Sequence, residues 1–473
     1  MTKVTTKNQL SLFGFLMITI SMVVSIYAFP TFATSGFSSL FFLLVAGFLW
    51  FIPVCLVSAE LGTGGQGWSE AGVFSWGKAA FGERWGFFMI FLQWFQVTLG
   101  FIAMLYFVSN GIAYSFNYKA IEDPSIPQMV VMLAIFWILT FVNFKGTNIT
   151  KSIATYAFFL GILFPVIILA ILGVIYVLGD NTINISFNMD SFIPDFNKLS
   201  TLVVLVSFIL SFMGAEASAV HVNNLQNPSR NYPIAILVLV ITTIVLASLS
   251  SLTIAIVIPK DHISLTGGIF ETFRFFFDKY NLTWIIYPLS LIIAFSAIGE
   301  ISSWVNGPIR GIHAAAQKGL LPPMFAKTNK HGMPVALLMV QGVVVSFWII
   351  VITLFGIELK SGNTAFFTAM TLTVIVFLTM YVLLFSGYLY LKFKVPNSVN
   401  PRKFNLPHSL GIFIALLGLC FTIVSFIISF LRPETISKSE YPTYVMYLVI
   451  CYAVTVLIPH VIYSFSKKSH TKK

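Results

Sequence analysis

About twelve long apolar stretches, separated by short polar ones, occupy most of this 473-residue chain, and this pattern limits its fold more than any other feature. Each stretch matches the roughly 20 residues a helix needs to cross the hydrocarbon of a bilayer. Backbone N–H and C=O groups find no water there. Only a structure that satisfies them internally can cross, and for segments this long that structure is the α-helix. The approximate spans are 10–34, 36–58, 87–115, 127–144, 152–178, 200–222, 233–258, 283–316, 333–354, 364–392, 408–431 and 441–465. With 58% hydrophobic and 9% charged residues, against about a quarter charged in a soluble domain, the chain reads as one all-α transmembrane unit. The run 10–32 is longer than a signal-peptide apolar region, so it reads as a retained first helix.

The charges give an orientation. If the N-terminus is cytoplasmic, only eight of the 27 Lys and Arg residues fall in outward segments: Lys119, Lys198, Lys260, Arg274, Lys279, Lys360, Arg432 and Lys438. Positive residues resist translocation, so both termini are expected inside. The net charge of +11 then reflects topology and contact with anionic lipid rather than a nucleic-acid footprint. Every Asp lies in an outward loop. Glu60, Glu70 and Glu83 cluster around the loop after span two, and Glu216 and Glu300 lie within spans six and eight. A carboxyl at membrane depth is costly and faces a cavity or a partner, so these two are the first candidates for function.

Helical spacing places Ser296, Glu300, Ser303, Trp304 and Gly307 on one face of span eight, and Ser207, Ser211, Gly214 and Ser218 on one face of span six. On a regular helix Glu216 lies off that stripe, and unwinding near Gly214 would redirect it. In span one, Pro30 cannot donate to the carbonyl of Ile26, so a break is expected there. Two interrupted helices five spans apart suggest an inverted repeat, 10–178 and 200–392, with 408–465 appended and a binding site near the midplane.

Other motifs do not hold. Gly62, Gly64 and Gly67 spell a dinucleotide fingerprint without a strand or βαβ unit around it. Gly72, Gly77 and Lys78 have P-loop spacing, but Ala79 stands where the Mg²⁺-binding hydroxyl belongs. Cys55, Cys420 and Cys451 show no paired spacing. No cofactor, metal or enzymatic chemistry is expected.

The stretches 211-SFMGAEASAVHVNNLQNPSRNYP-233 and 307-GPIRGIHAAAQKGLLP-322 resemble amino acid–polyamine–organocation (APC) transporters. Together with 21-SMVVSIYAFPTFATSGF-37, 47-GFLWFIP-53, 72-GVFSWG-77 and 100-GFIAMLYFV-108, they resemble the bacterial glutamate/γ-aminobutyrate antiporter family over almost the whole chain. The resemblance implies twelve helices with a five-plus-five inverted repeat (the LeuT-like fold) and discontinuous helices one and six. It also implies exchange of extracellular glutamate for intracellular γ-aminobutyrate, favoured at acidic pH, in the bacterial inner membrane. A cytoplasmic glutamate decarboxylase would consume the proton, giving acid resistance through functional coupling without contact. By motif position Tyr27, Glu216, Trp304 and Tyr381 would bind substrate. Glu300, Gln96, Phe377, Pro30 and Gly214 would serve the path and its gating.

Two departures bear on this reading. Phe377 stands where the family tends to have a second Tyr, so a carrier of the same fold for glutamine or another acidic or neutral amino acid is the alternative. Some members also carry a long cytoplasmic plug, whereas here 466-SKKSHTKK-473 is short and basic. It is expected to lie against anionic headgroups, leaving pH dependence to groups in the path and to the substrate.

Overall fold

A computed structural model of the chain describes residues 11–65, 67–146, 155–219, 222, 225–433 and 436–470. Lys3, Lys7, Lys151, the Ser218 side chain and the basic side chains beyond Ser466 lie outside the described residues. An isolated β-bridge joins Gly64 and Arg402, and no extended strand is present among the described residues. Among the described residues, ten helices are long and apolar enough to cross a membrane: Ser38–Gly62, Glu83–Phe116, Ile126–Asn143, Thr155–Leu178, Pro228–Val257, Thr283–Gln317, Val335–Leu359, Gly362–Lys394, His408–Ile428 and Tyr441–Ser466. They are spans two to five and seven to twelve. Span two continues to Gly62 rather than stopping at 58, and span three starts at Glu83 rather than 87.

Spans one and six are interrupted. Span one runs as a helix over Leu12–Val23, becomes extended at Val24 and Ser25, makes a short 3-10 turn and resumes over Phe29–Ala33. The break therefore begins before Pro30. Pro30 occupies the first turn of the second half-helix, where a missing N–H costs little, and the Ile26 carbonyl accepts from the Phe29 amide. Span six is helical over Leu205–Leu210 and again over Ala215–Ala219. Between them Gly214 has φ +111°, a region open to glycine because it lacks Cβ.

Spans three and ten form the centre of the bundle; every residue in the most apolar window of span three is buried. Span three packs against spans eight and ten, so polar side chains on it face protein rather than lipid. Spans two and five each widen into a π-turn, at Gly47–Phe51 and Phe159–Leu163. At Gly161 a Cβ would fall 2.5 Å from the Ser296 Cβ, so spans five and eight approach nearly backbone to backbone. The P-loop-like glycines serve the same end: a Cβ on Gly77 would meet the Gly86 Cα at 3.0 Å. Lys78 is ion-paired to Glu83 at 2.9 Å.

The short helix Gly268–Lys279 lies on the face that also carries Glu122 and Asp123. It leans on the second half of span one, where a Cβ on Gly268 would be 3.2 Å from the Pro30 Cβ. Its Glu271 is half-buried. Burial pushes that carboxyl up to about 7, with Glu122 and Asp123 adding to the rise against a Ser264 backbone hydrogen bond. Because folding favours the neutral form, this contribution is whole below the usual carboxylate range and fades as pH climbs through about 7. The melting temperature of purified protein should therefore fall between pH 5 and pH 8, and Glu271→Gln should make that slope shallower. An unchanged slope in the variant would refute the assignment.

Candidate functional site

The break in span one turns Ser25 toward span eight. Its hydroxyl donates to Glu300 Oε1 at 2.5 Å. Glu300 is 4% exposed, and its second oxygen, Oε2, has no hydrogen-bond partner among the described residues. Both residues line a small cavity together with Tyr27, Gln96, Gly100, Trp304 and Thr373. Its volume is about 20 Å³, room for roughly one water molecule. The site is thus closed down around its polar groups, and admitting an amino acid requires its walls to move apart. Glycine at position 100 leaves span three thin where it faces Thr373 of span ten.

Glu216 belongs to a second cluster. The turn at Gly214 brings its side chain between spans three and ten, where Gln93 Nε2 donates to Oε1 at 2.9 Å and the Tyr381 hydroxyl donates to Oε2 at 2.5 Å. Each oxygen thereby has its own donor, and hydrogen bonds to a carboxylate are among the stronger ones a protein makes. Tyr381 is held in turn by Trp50, edge-on at 4.9 Å, and by Phe377 at 4.7 Å. Trp50 donates to the Thr422 hydroxyl at 3.1 Å, so this arrangement reaches span eleven.

The nine residues singled out from the sequence therefore divide. Tyr27, Gln96, Glu300 and Trp304 line the cavity. Glu216, Tyr381 and Phe377 sit beside it, with the Tyr381 hydroxyl committed to Glu216. Gly214 and Pro30 shape the two breaks. Gln96 connects the clusters, because its Nε2 donates to the carbonyl of Gln93 one turn earlier, at 3.2 Å.

Sequence reasoning did not single out Ser25 or Gln93. Gln93 carried a readable signal, a second amide three residues before Gln96 in an otherwise apolar run. Ser25 carried little, since one serine near a break does not announce its partner. The sequence pattern groups Glu60 with the loop after span two, whereas it lies in the last turn of that span and is fully buried. There it accepts from Tyr388, Lys392, Arg402 and the Leu406 amide.

A much larger cavity, about 520 Å³, opens one helical turn beyond Tyr27. It is bordered by Thr31, Asn184, Lys260, Asp261, Asn363 and Phe367. Thr31 follows Tyr27 by four residues on span one, and Phe367 precedes Thr373 by six on span ten. Both spans thus lead from the large cavity toward the small one. The large cavity lies at the end of the bundle opposite Glu60.

Residues 10–456 match the family model described as amino acid permease. The chain is 44% identical to the glutamate/gamma-aminobutyrate antiporter of Lactococcus lactis subsp. lactis strain IL1403, over 98% of this chain and 92% of that protein. The antiporter of the same name from L. lactis subsp. cremoris strain MG1363 is also 44% identical with the same coverage. An uncharacterized transporter of Legionella pneumophila is 30% identical, over 98% of this chain and 97% of its own length. A helical membrane bundle with two broken helices and a buried carboxyl beside each break thus has relatives among transporters, and the chain belongs to the amino acid permease family.

Proposed function

We propose that this chain exchanges glutamate for γ-aminobutyrate across the bacterial cytoplasmic membrane by alternating access, glutamate entering as γ-aminobutyrate leaves. The face bearing Glu60 and both termini lies inside in this reading, as the distribution of Lys and Arg supports. The substrate pair rests on 44% identity, over nearly the whole chain, to two antiporters of that name. The binding mode rests on one observation, the unpartnered Oε2 of Glu300 at the cavity wall.

Glutamate and γ-aminobutyrate share an ammonium group and a carboxylate separated by methylenes. A buried carboxylate oxygen without a donor is the natural acceptor for that ammonium. Trp304 supplies an apolar face for the methylenes, and the Tyr27 hydroxyl and Gln96 amide supply donors for a carboxylate. Glu216 ties span six to spans three and ten through Gln93 and Tyr381. A shift of span six at Gly214 must exchange those partners, which couples substrate occupancy to movement of the helix. The two five-helix repeats, 10–178 and 200–392, are the bodies that move in this account. Coupling to a cytoplasmic glutamate decarboxylase would turn each cycle into net removal of acid.

A second reading, a different amino-acid pair on the same fold, is favoured by Phe377. Its ring packs on Tyr381 where the family tends to offer another hydroxyl. Substitution to Tyr should place a donor beside the substrate path. The ratio of labelled glutamate to labelled glutamine uptake should then shift several-fold in Phe377→Tyr, and an unchanged ratio would remove Phe377 from substrate selection.

Glu300→Gln should lower initial uptake of labelled glutamate into γ-aminobutyrate-loaded proteoliposomes by at least ~10-fold, with folded protein recovered in normal yield. Wild-type rates in that variant would contradict the ammonium role. Glu216→Ala leaves Gln93 and Tyr381 without their acceptor. Loss of exchange is expected there as well, and wild-type exchange would show that the pairing is not used.

A further inference from the structure

Glu60 accepts four hydrogen bonds, two of them from cations, and it takes no part in the substrate site. It is fully buried in the last turn of span two. Lys392 Nζ, at 2.6 Å, and Arg402 Nη1 both donate to its Oε1. The Tyr388 hydroxyl at 2.7 Å and the Leu406 amide at 3.1 Å donate to Oε2. The two cations are fixed from behind as well. Lys392 also donates to the Leu406 carbonyl at 2.8 Å, and Arg402 Nη2 to the Val395 carbonyl at 2.9 Å. The guanidinium lies 5.2 Å from the Trp68 ring centroid.

The segment after span ten is stitched across the end of span two by its backbone. Gly65 donates to the Pro401 carbonyl at 3.2 Å, and Phe404 donates to the Thr63 hydroxyl at 3.1 Å. Phe404 then packs on Tyr232, 5.7 Å between centroids, and Tyr232 on Phe15 of span one at 5.6 Å. The strap therefore touches the start of span seven and, through Tyr232, reaches the first half of span one.

Spans two and ten each run from the large cavity to this cluster. Ser38 and Asn363 border the cavity at one end, and Glu60 and Lys392 meet at the other. From Ser38 to Glu60 is about 33 Å at 1.5 Å per residue. One end of the two helices stands apart around about 520 Å³ while the other is pinned by a carboxylate holding two cations. We propose that Glu60, Tyr388, Lys392 and Arg402 form a latch that holds the cytoplasmic end of the transport path shut and must release as a unit before substrate leaves inward.

This rests on the transport reading and orientation given above. Release as a unit follows from the charges. Withdrawing Glu60 alone leaves two buried cations facing each other, and breaking a buried pair by removing one partner is strongly unfavourable. Separation therefore requires water to enter and solvate all members together, which makes the change all-or-none.

The test places spin labels at exposed Glu70 and Lys394, on either side of the latch. Cys55→Ala, Cys420→Ser and Cys451→Ser provide the background, with the full chain in lipid nanodiscs and no substrate added. Double electron–electron resonance should give one dominant short distance in the parent. Glu60→Gln should raise the population at a longer distance at least ~5-fold. Tyr388→Phe, which removes one neutral donor, should raise it less. A purely structural anchor would lower the melting temperature of both variants with the distance distribution unchanged, and that result overturns the proposal. Should Glu60→Gln yield no folded protein, Tyr388→Phe decides. Because the distance is read without substrate, a failure of the latch is separable from a failure of glutamate exchange, which transport by the parent protein reports on its own.

Discussion

A carboxylate buried in a membrane protein must be given donors, and the way three such groups are supplied organises this structure. Glu60 has four donors, two of them cationic. Glu216 has two neutral side-chain donors, one on each oxygen. Glu300 has one, from Ser25, and an oxygen left over. The cost of leaving such an oxygen unmet is high in a low-dielectric interior, so the three sites differ in what they can do. The saturated one ties elements together, the balanced one links spans three, six and ten, and the incomplete one is the group to which the proposed substrate ammonium is assigned.

The broken helices deliver two of these groups. An unbroken span one would keep Ser25 in a regular helical position, and the extended backbone at Val24 and Ser25 is what turns its hydroxyl onto Glu300. Likewise Gly214 at φ +111° redirects Glu216, which a regular helix would leave off the polar stripe, so that it reaches Gln93 and Tyr381. Both breaks are supported from span three, whose interior position lets Gln93 and Gln96 be polar at membrane depth. Close packing at Gly161 holds span eight, and with it Glu300, at a fixed distance from span five.

Much of this was legible in the sequence because membrane helices obey strong local rules. The apolar segments followed from length and hydropathy, Glu216 and Glu300 from the cost of a carboxyl in lipid, and the weakness near Gly214 from the mismatch between Glu216 and its stripe. Pro30 signalled an interrupted span one but marked its position imperfectly, since proline is comfortable in the first turn after a break. Glu60 was hidden because it sits four residues before Gly64 in a polar, glycine-rich stretch. Its partners lie more than 300 residues away, and no local pattern reports a pairing at that separation. The division between the cavity and the Glu216–Tyr381 pair was equally hidden, because it depends on how spans three, six and ten are rotated against one another.

In the proposed cycle an incomplete polar site between two broken helices opens to one side of the membrane at a time, which would make the protein an obligate exchanger. The decisive measurement is uptake of labelled glutamate into proteoliposomes at about pH 5.5 and 7.5, with and without internal γ-aminobutyrate. Uptake should require the internal load and be faster at the lower pH. Equal uptake into empty vesicles would contradict that cycle and identify a uniporter, a proton-coupled importer or a channel instead.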